Sequence, residues 1–221
     1  MSRPLSNSLK KRAKRSANWR ATVDKTLHRN PYFGVLQQSV QLPNGSATTY
    51  YTLDFQKPAL GVVAIHRGRF LLLRQYRFIV DEFVWAIPSG GVHAGESPQQ
   101  AAARELQEET GYRATRLRRL HAFYASYGCG NQVFDIFLAD GLTPTRNQFD
   151  RNEVISLQWF SAKELLALIA RNGVVDGLSL APLLLLLMRK RHTLRAIKPR
   201  RLNPPVGPAA PHRAGSSRAR R

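Results

Sequence analysis

The sequence predicts a layered α/β domain of the α+β kind, on three observations. Apolar, β-favouring runs lie on both sides of one sharply punctuated helix, a pattern that calls for a sheet with helices packed on it. Two further helical patterns close the apolar part of the chain. Net charge, finally, is kept out of the middle. Of 221 residues, 34 are Lys or Arg and 14 are Asp or Glu, a formal net charge of +20. Residues 1–30 hold nine of the basic residues against one acid, Asp24, and residues 189–221 hold eleven and no acid. That leaves 14 basic and 13 acidic side chains for residues 31–188. This near-neutral middle, in a chain 43% hydrophobic, can build an ordinary core.

The elements follow in order. Residues 1–30 read as a flexible basic arm, with ordered structure expected to begin near Pro31-Tyr32-Phe33. Residues 34–42 and 47–55 favour strand, and Pro43-Asn44-Gly45 between them is a turn signal, so an amino-terminal β-hairpin is expected. Residues 60–65 and 69–75 are apolar strands joined across His66-Arg67-Gly68. A short strand at 84–87 and a loop at 88–96 lead into a helix at 97–110. Ser97 supplies its N-cap, Pro98 suits the first helical position, and Gly111 stands where a C-terminal glycine belongs. Strands are expected at 118–125, 133–139 and 154–160, then helices near 161–172 and 178–191.

The apolar run 178–188 is eleven residues long and contains Pro182, well short of the roughly 20 residues that span a bilayer. It reads as a buried helix, and no membrane partner is expected. From Lys198 onward Pro, Gly, Ser and Arg replace core-forming residues. Residues 192–221 are therefore expected to be a disordered basic tail, leaving 31–191 as one domain. The single cysteine, Cys129, has no internal disulfide partner, and the amino end lacks an uncharged apolar run. A cytoplasmic setting is expected. The acid-poor, Arg-rich beginning also matches a mitochondrial transit pattern, against which stands the plainer reading of a solvated arm.

The chemistry concentrates in residues 90–112. On the helix, Glu105, Glu108 and Glu109 stand at i, i+3 and i+4, so their carboxylates crowd one face and repel unless a cation sits among them. Oxygen ligands grouped this way suit a hard divalent ion, and magnesium in particular takes a few carboxylates plus substrate phosphates. The plain alternative is a solvated charged face supported by Arg104. That alternative has no use for glycines at both ends or for Glu96 upstream.

The spacing of Gly90, Glu96, Arg104-Glu105-Leu106, Glu108-Glu109 and Gly111-Tyr112 resembles the signature of the Nudix hydrolases, with every fixed position filled. The resemblance implies a mixed β-sheet sandwiched between helices, with the signature as a loop–helix–loop. It implies divalent-metal-dependent hydrolysis of a nucleoside diphosphate linked to another group. Magnesium or manganese would be held by Glu105, Glu108 and Glu109 with the backbone carbonyl of Ser89. Glu109 and Arg104 would be catalytic, and Gly90 and Glu96 would help orient the glutamates. The strand end Arg74-Gln75-Tyr76-Arg77, followed by Trp85, Pro88 and Gly90, resembles the ADP-ribose and sugar-nucleotide pyrophosphatase branch. There Arg74 or Arg77 would grip the diphosphate, by the bidentate match of guanidinium to phosphate. The same branch implies a homodimer built with the amino-terminal hairpin.

One departure stands out. Members that cleave ADP-ribose commonly carry a proline where Tyr127 stands in Ala125-Ser126-Tyr127-Gly128, and an acid where this chain has Asn131-Gln132. Tyr127 offers a ring for base stacking or for packing in its loop. In this branch the general base often comes from a late loop, which singles out Glu153, with Asp150 as the alternative. Two other functions compete: a pyrophosphohydrolase of RNA 5′ ends whose basic arms neutralise phosphates, and a non-catalytic nucleotide sensor or nucleic-acid-binding protein. The plainest reading of the arms is that they confer solubility or nonspecific attraction to acidic surfaces, nucleic acid among them.

Overall fold

The computed structural model describes residues 19–145 and 154–190, which fall into two compact units divided between Gln56 and Lys57. In the first unit three antiparallel strands, β1 (Arg20–Arg29), β2 (Phe33–Gln41) and β3 (Ala47–Phe55), pair in the order β1-β2-β3. Asn44-Gly45 makes the β2–β3 turn, with the Gly45 N–H donating to the Leu42 carbonyl at 2.9 Å. Strand structure is therefore present from Arg20, ahead of the expected Pro31, and the hairpin gains a third strand. The β-branched Thr22, Val23 and Thr26 favour this extension. Asn30 turns the chain back by accepting the Tyr32 and Phe33 N–H groups at 2.8 and 2.9 Å, an Asx turn. Arg20, Lys25 and Arg29, counted with the expected arm, lie on this exposed strand, where they cost nothing in burial.

The second unit is a mixed sheet between helices, the fold class expected. Its strands are β4 (Ala59–His66), β5 (Arg69–Arg77), β6 (Glu82–Ala86), β7 (Ser89–Gly91), β8 (Tyr112–Tyr124), β9 (Val133–Pro144) and β10 (Ser156–Phe160). The spine runs β10-β5-β4-β9-β8, with β6 on β5 and β7 on β4. β4 pairs in parallel with β9, and the other pairings are antiparallel. Continuous apolar runs in β4 and β5 mark strands covered on both faces. Helix α1 (Pro98–Thr110) covers one face: Ala101, Ala102 and Leu106 pack with Leu60, Val62, Leu71, Phe137 and Ala139. Helices α2 (Ala162–Ala170) and α3 (Gly177–Lys190) cover the other, where Leu165, Leu168, Leu183, Leu186 and Leu187 meet Val63, Phe70, Leu72, Ile136 and Leu138. The apolar run at 178–188 is thus the buried side of α3. Among the described residues no helix is long and apolar enough to cross a membrane.

Several strand bounds differ from expectation, those of β8 and β7 most of all. β8 starts at Tyr112, directly after the helix, because its Arg-rich first half keeps a strand alternation and hydrogen bonds along β9 even though it buries little. Residues 89–91, expected as loop, form the short β7 on the edge of β4.

Candidate active site

The site is assembled by α1 and by the strand and loop that precede it. α1 starts where Ser97 caps it: the Ser97 side chain accepts from the Gln100 N–H while the Gln100 side chain accepts from the Ser97 N–H. Pro98 occupies the first turn, and Gly111 ends the helix in the left-handed region at φ 71°, which favours glycine. These caps set where α1 begins and ends, and the contacts of Glu105 with Gly90 and of Glu109 with the Ser89 N–H turn its glutamate flank toward β7.

Each carboxylate is held differently. Glu109 is 4% exposed and accepts the Ser89 backbone N–H at 2.7 Å. Glu105 lies against Gly90, where a Cβ would come within 2.0 Å of its Oε1, so the chain tolerates only glycine there without moving the carboxylate. Glu108 is the outer member, its side chain 56% exposed. Glu96, reaching up from the loop, also accepts the His93 N–H at 3.0 Å.

Arg104 ties these groups together. Its Nε donates to Glu96 Oε1 at 3.0 Å and its Nη2 to Glu96 Oε2 at 3.2 Å, a bidentate fork. Nη2 also donates to the Gly91 carbonyl at 3.0 Å. Nη1 donates to Glu105 Oε1 at 2.8 Å and to Glu108 Oε2 at 2.9 Å. Hydrogen bonding to Arg104, reinforced by the His93 N–H, holds the Glu96 carboxyl below the ordinary range. The bonds to Glu96, then to Glu105 and Glu108, push the guanidinium further above its already high value.

The donor set fits a hard divalent cation. It is made of oxygens, one carboxylate is anchored by a backbone N–H and one by a glycine niche, and two carboxylate oxygens already converge on a single cationic atom. Among the described residues no three acidic, His or Cys side chains close on one point; Nη1 of Arg104 bonds both Glu105 and Glu108.

The remaining candidates are not all brought together. Along β5, Leu71 faces α1 and Leu72 faces α2 and α3, so alternation places Gln75 and Arg77 on the α1 face and Arg74 and Tyr76 on the opposite one. Trp85, the register partner of Arg74, packs against the α2–α3 cluster, which confirms that side for Arg74. The Arg74 guanidinium lies 5.5 Å from the centroid of the Phe83 ring. Tyr127 is 87% exposed. Glu153 and Asp150 lie outside the described residues. The sequence reading passed over Gln75, a buried amide on the α1 face, and Asp135, a buried acid on β9 that accepts from Arg119 Nε at 2.6 Å. The only signal for either was a polar residue interrupting an apolar run.

Residues 55–177, more than half of the chain, match the family model described as the NUDIX domain. The ADP-ribose pyrophosphatase of Bacillus subtilis (strain 168) is 29% identical over 142 residues, 63% of this chain and 77% of its own. The CMP-5'-(N-acetyl-N-hydroxy-3-aminopropyl)phosphonate hydrolase of Streptomyces rubellomurinus is 28% identical over 159 residues, 72% of this chain and 77% of its own. Relatives named RNA pyrophosphohydrolase align over less: that of Bartonella bacilliformis is 36% identical over 74 residues, 31% of this chain and 43% of its own. A solved structure titled "Crystal structure of ADP compounds hydrolase" superposes with a TM-score of 0.68 at 22% identity, covering 78% of this chain and 94% of that one.

Proposed function

The chain belongs to the NUDIX domain family and is a Nudix hydrolase, and on that premise we propose that it hydrolyses the diphosphate of a nucleoside diphosphate linked to another group, best a sugar nucleotide such as ADP-ribose or an ADP-sugar. One observation carries the reading: Glu105, Glu108 and Glu109 are held on one flank of α1 by Gly90, Arg104 and the Ser89 N–H. Relatives named for ADP-ribose and for a CMP conjugate, both matched over more than three quarters of their length, support a nucleotide with a variable partner over an RNA end.

Glu105, Glu108 and Glu109, with the Ser89 carbonyl, would hold a divalent ion, magnesium or manganese. Such an ion, when bound, neutralises diphosphate charge and makes the attacking water more acidic. In the reaction the water oxygen bonds to one phosphorus and the bridging P–O bond breaks. The products are a nucleoside monophosphate and a phosphorylated partner. Glu153 is the proposed acceptor of the water's proton, with Asp150 as the alternative. Arg77, on the α1 face, is the better placed of the two arginines to grip the diphosphate. Arg74 lies on the opposite face, beside Phe83, and Tyr127 offers a ring for the base. Arg104 and Glu96 keep the glutamates in position. A homodimer and a cytoplasmic location complete the proposal, the first testable by sedimentation and the second by tagging.

The experiment is a magnesium-dependent hydrolysis screen over ADP-ribose, ADP-glucose, GDP-mannose, NADH, dinucleoside polyphosphates, nucleoside triphosphates and 5′-triphosphate RNA. Release of a nucleoside monophosphate from a sugar nucleotide is expected. It should vanish with chelator and in Glu109→Gln, with the fold retained by circular dichroism, and fall by a factor of about 10²–10⁴ in Glu153→Gln if that residue is the base. Turnover of RNA alone would replace the substrate reading, and full activity in Glu109→Gln would remove that residue from the chemistry.

A further inference from the structure

We infer that Arg104 is a tethered counter-cation that competes with the divalent ion for Glu105 and Glu108, so that these two carboxylates trade Nη1 for the ion while the rest of the guanidinium stays in place. The inference rests on the carboxylate reading of the site.

The geometry divides the guanidinium into two edges. On one edge, Nε and Nη2 are engaged three times, by both oxygens of Glu96 and by the Gly91 carbonyl, at 3.0–3.2 Å. Glu96 is itself held by the His93 N–H. A planar group fixed at three points cannot swing away without breaking all of them. On the other edge, Nη1 alone serves Glu105 Oε1 and Glu108 Oε2.

Glu108 has the opposite balance: it is more than half exposed and accepts from Nη1, so its rotamer can change at little cost. Glu105 and Glu108 are one turn apart on α1 and converge on the same nitrogen, so a cation between them replaces Nη1 with little displacement of either side chain. Two positive charges cannot share that position, because like charges a few ångströms apart repel by several kcal/mol at an interfacial effective dielectric. Arg104 thus keeps the acidic cluster neutralised and weakens cation binding at the same time. A purely orienting arginine would do the reverse and strengthen it.

That opposition of sign is the test. Magnesium titration by calorimetry of the full chain and of Arg104→Gln should show several-fold, up to about tenfold, tighter binding in the variant, the scale of losing two charge-assisted competitors. Its melting temperature without magnesium should fall, and the magnesium-induced rise in melting temperature should grow. Weaker or equal binding in the variant, or none in either protein, overturns the inference.

Should Arg104→Gln fail to fold, the wild type still decides by NMR of the Arg104 guanidinium. On adding magnesium, rotation about Cζ–Nη1 should accelerate as its bonds are released, while the Nε–H signal stays protected by Glu96. An unchanged Nη1 signal, or loss of both signals together, overturns it. No substrate enters either arm. Exchange of Nη1 without turnover would therefore sink the hydrolase reading alone, and turnover without exchange would sink this inference alone.

Discussion

Arg104 and Glu96 carry the pH sensitivity expected of the site. The Glu96 carboxyl is depressed in the fold, so its contribution to stability is fully present above the unfolded value of about 4.3 and is lost as pH falls through the lower folded value. Thermal midpoints should therefore drop below about pH 4, and Glu96→Gln should flatten this acid limb; an unchanged limb would remove Glu96 from that role. Gly90→Ala is the sharper substitution. Its methyl would meet Glu105 Oε1 at 2.0 Å, so Glu105 must leave its niche, and turnover should fall by at least about 10²-fold while α1 remains folded. Circular dichroism beside a rate assay separates the two. Spacing along α1 made the glutamates readable in the sequence, because helical neighbours follow from chemistry three and four residues apart. The division of labour between the two edges of Arg104 was not readable, since it depends on where a loop carries Glu96 and Gly91.

At the level of elements, α1 depends on local punctuation that the chain states openly. Ser97→Ala removes the acceptor for the Gln100 N–H and breaks the reciprocal box, which should cost about 1 kcal/mol and lower the melting temperature by a few degrees. A midpoint within half a degree of wild type would mean that packing alone sets the helix start. The strands of the central sheet were equally readable, because burial on both faces leaves continuous apolar runs. β1 and the first half of β8 were not, since both are rich in basic residues and gain their order from backbone pairing more than from burial. The face of the sheet on which Arg74 or Arg77 lies was likewise hidden. Alternation separates the two, but only the packing of α1 on one side and α2 and α3 on the other says which is which.

For the whole molecule, charge and catalysis are expected to separate. Removing residues 1–18 and 198–221 deletes basic residues without touching a described strand or helix. Turnover of a small nucleotide substrate should stay within about twofold, while retention on RNA and its salt dependence should decline. Loss of turnover would instead join the termini to the site. The parallel pairing of β4 with β9 has a consequence of its own for the nascent chain. Ala59 meets Phe134, 75 positions further along the chain, and α1 with its glutamates lies between them in sequence. At about 5–20 residues per second a ribosome takes roughly 4–15 seconds to make that stretch. Through that interval the apolar edge of β4 has no β9 to pair with, an exposure that a hairpin-first topology would cut short.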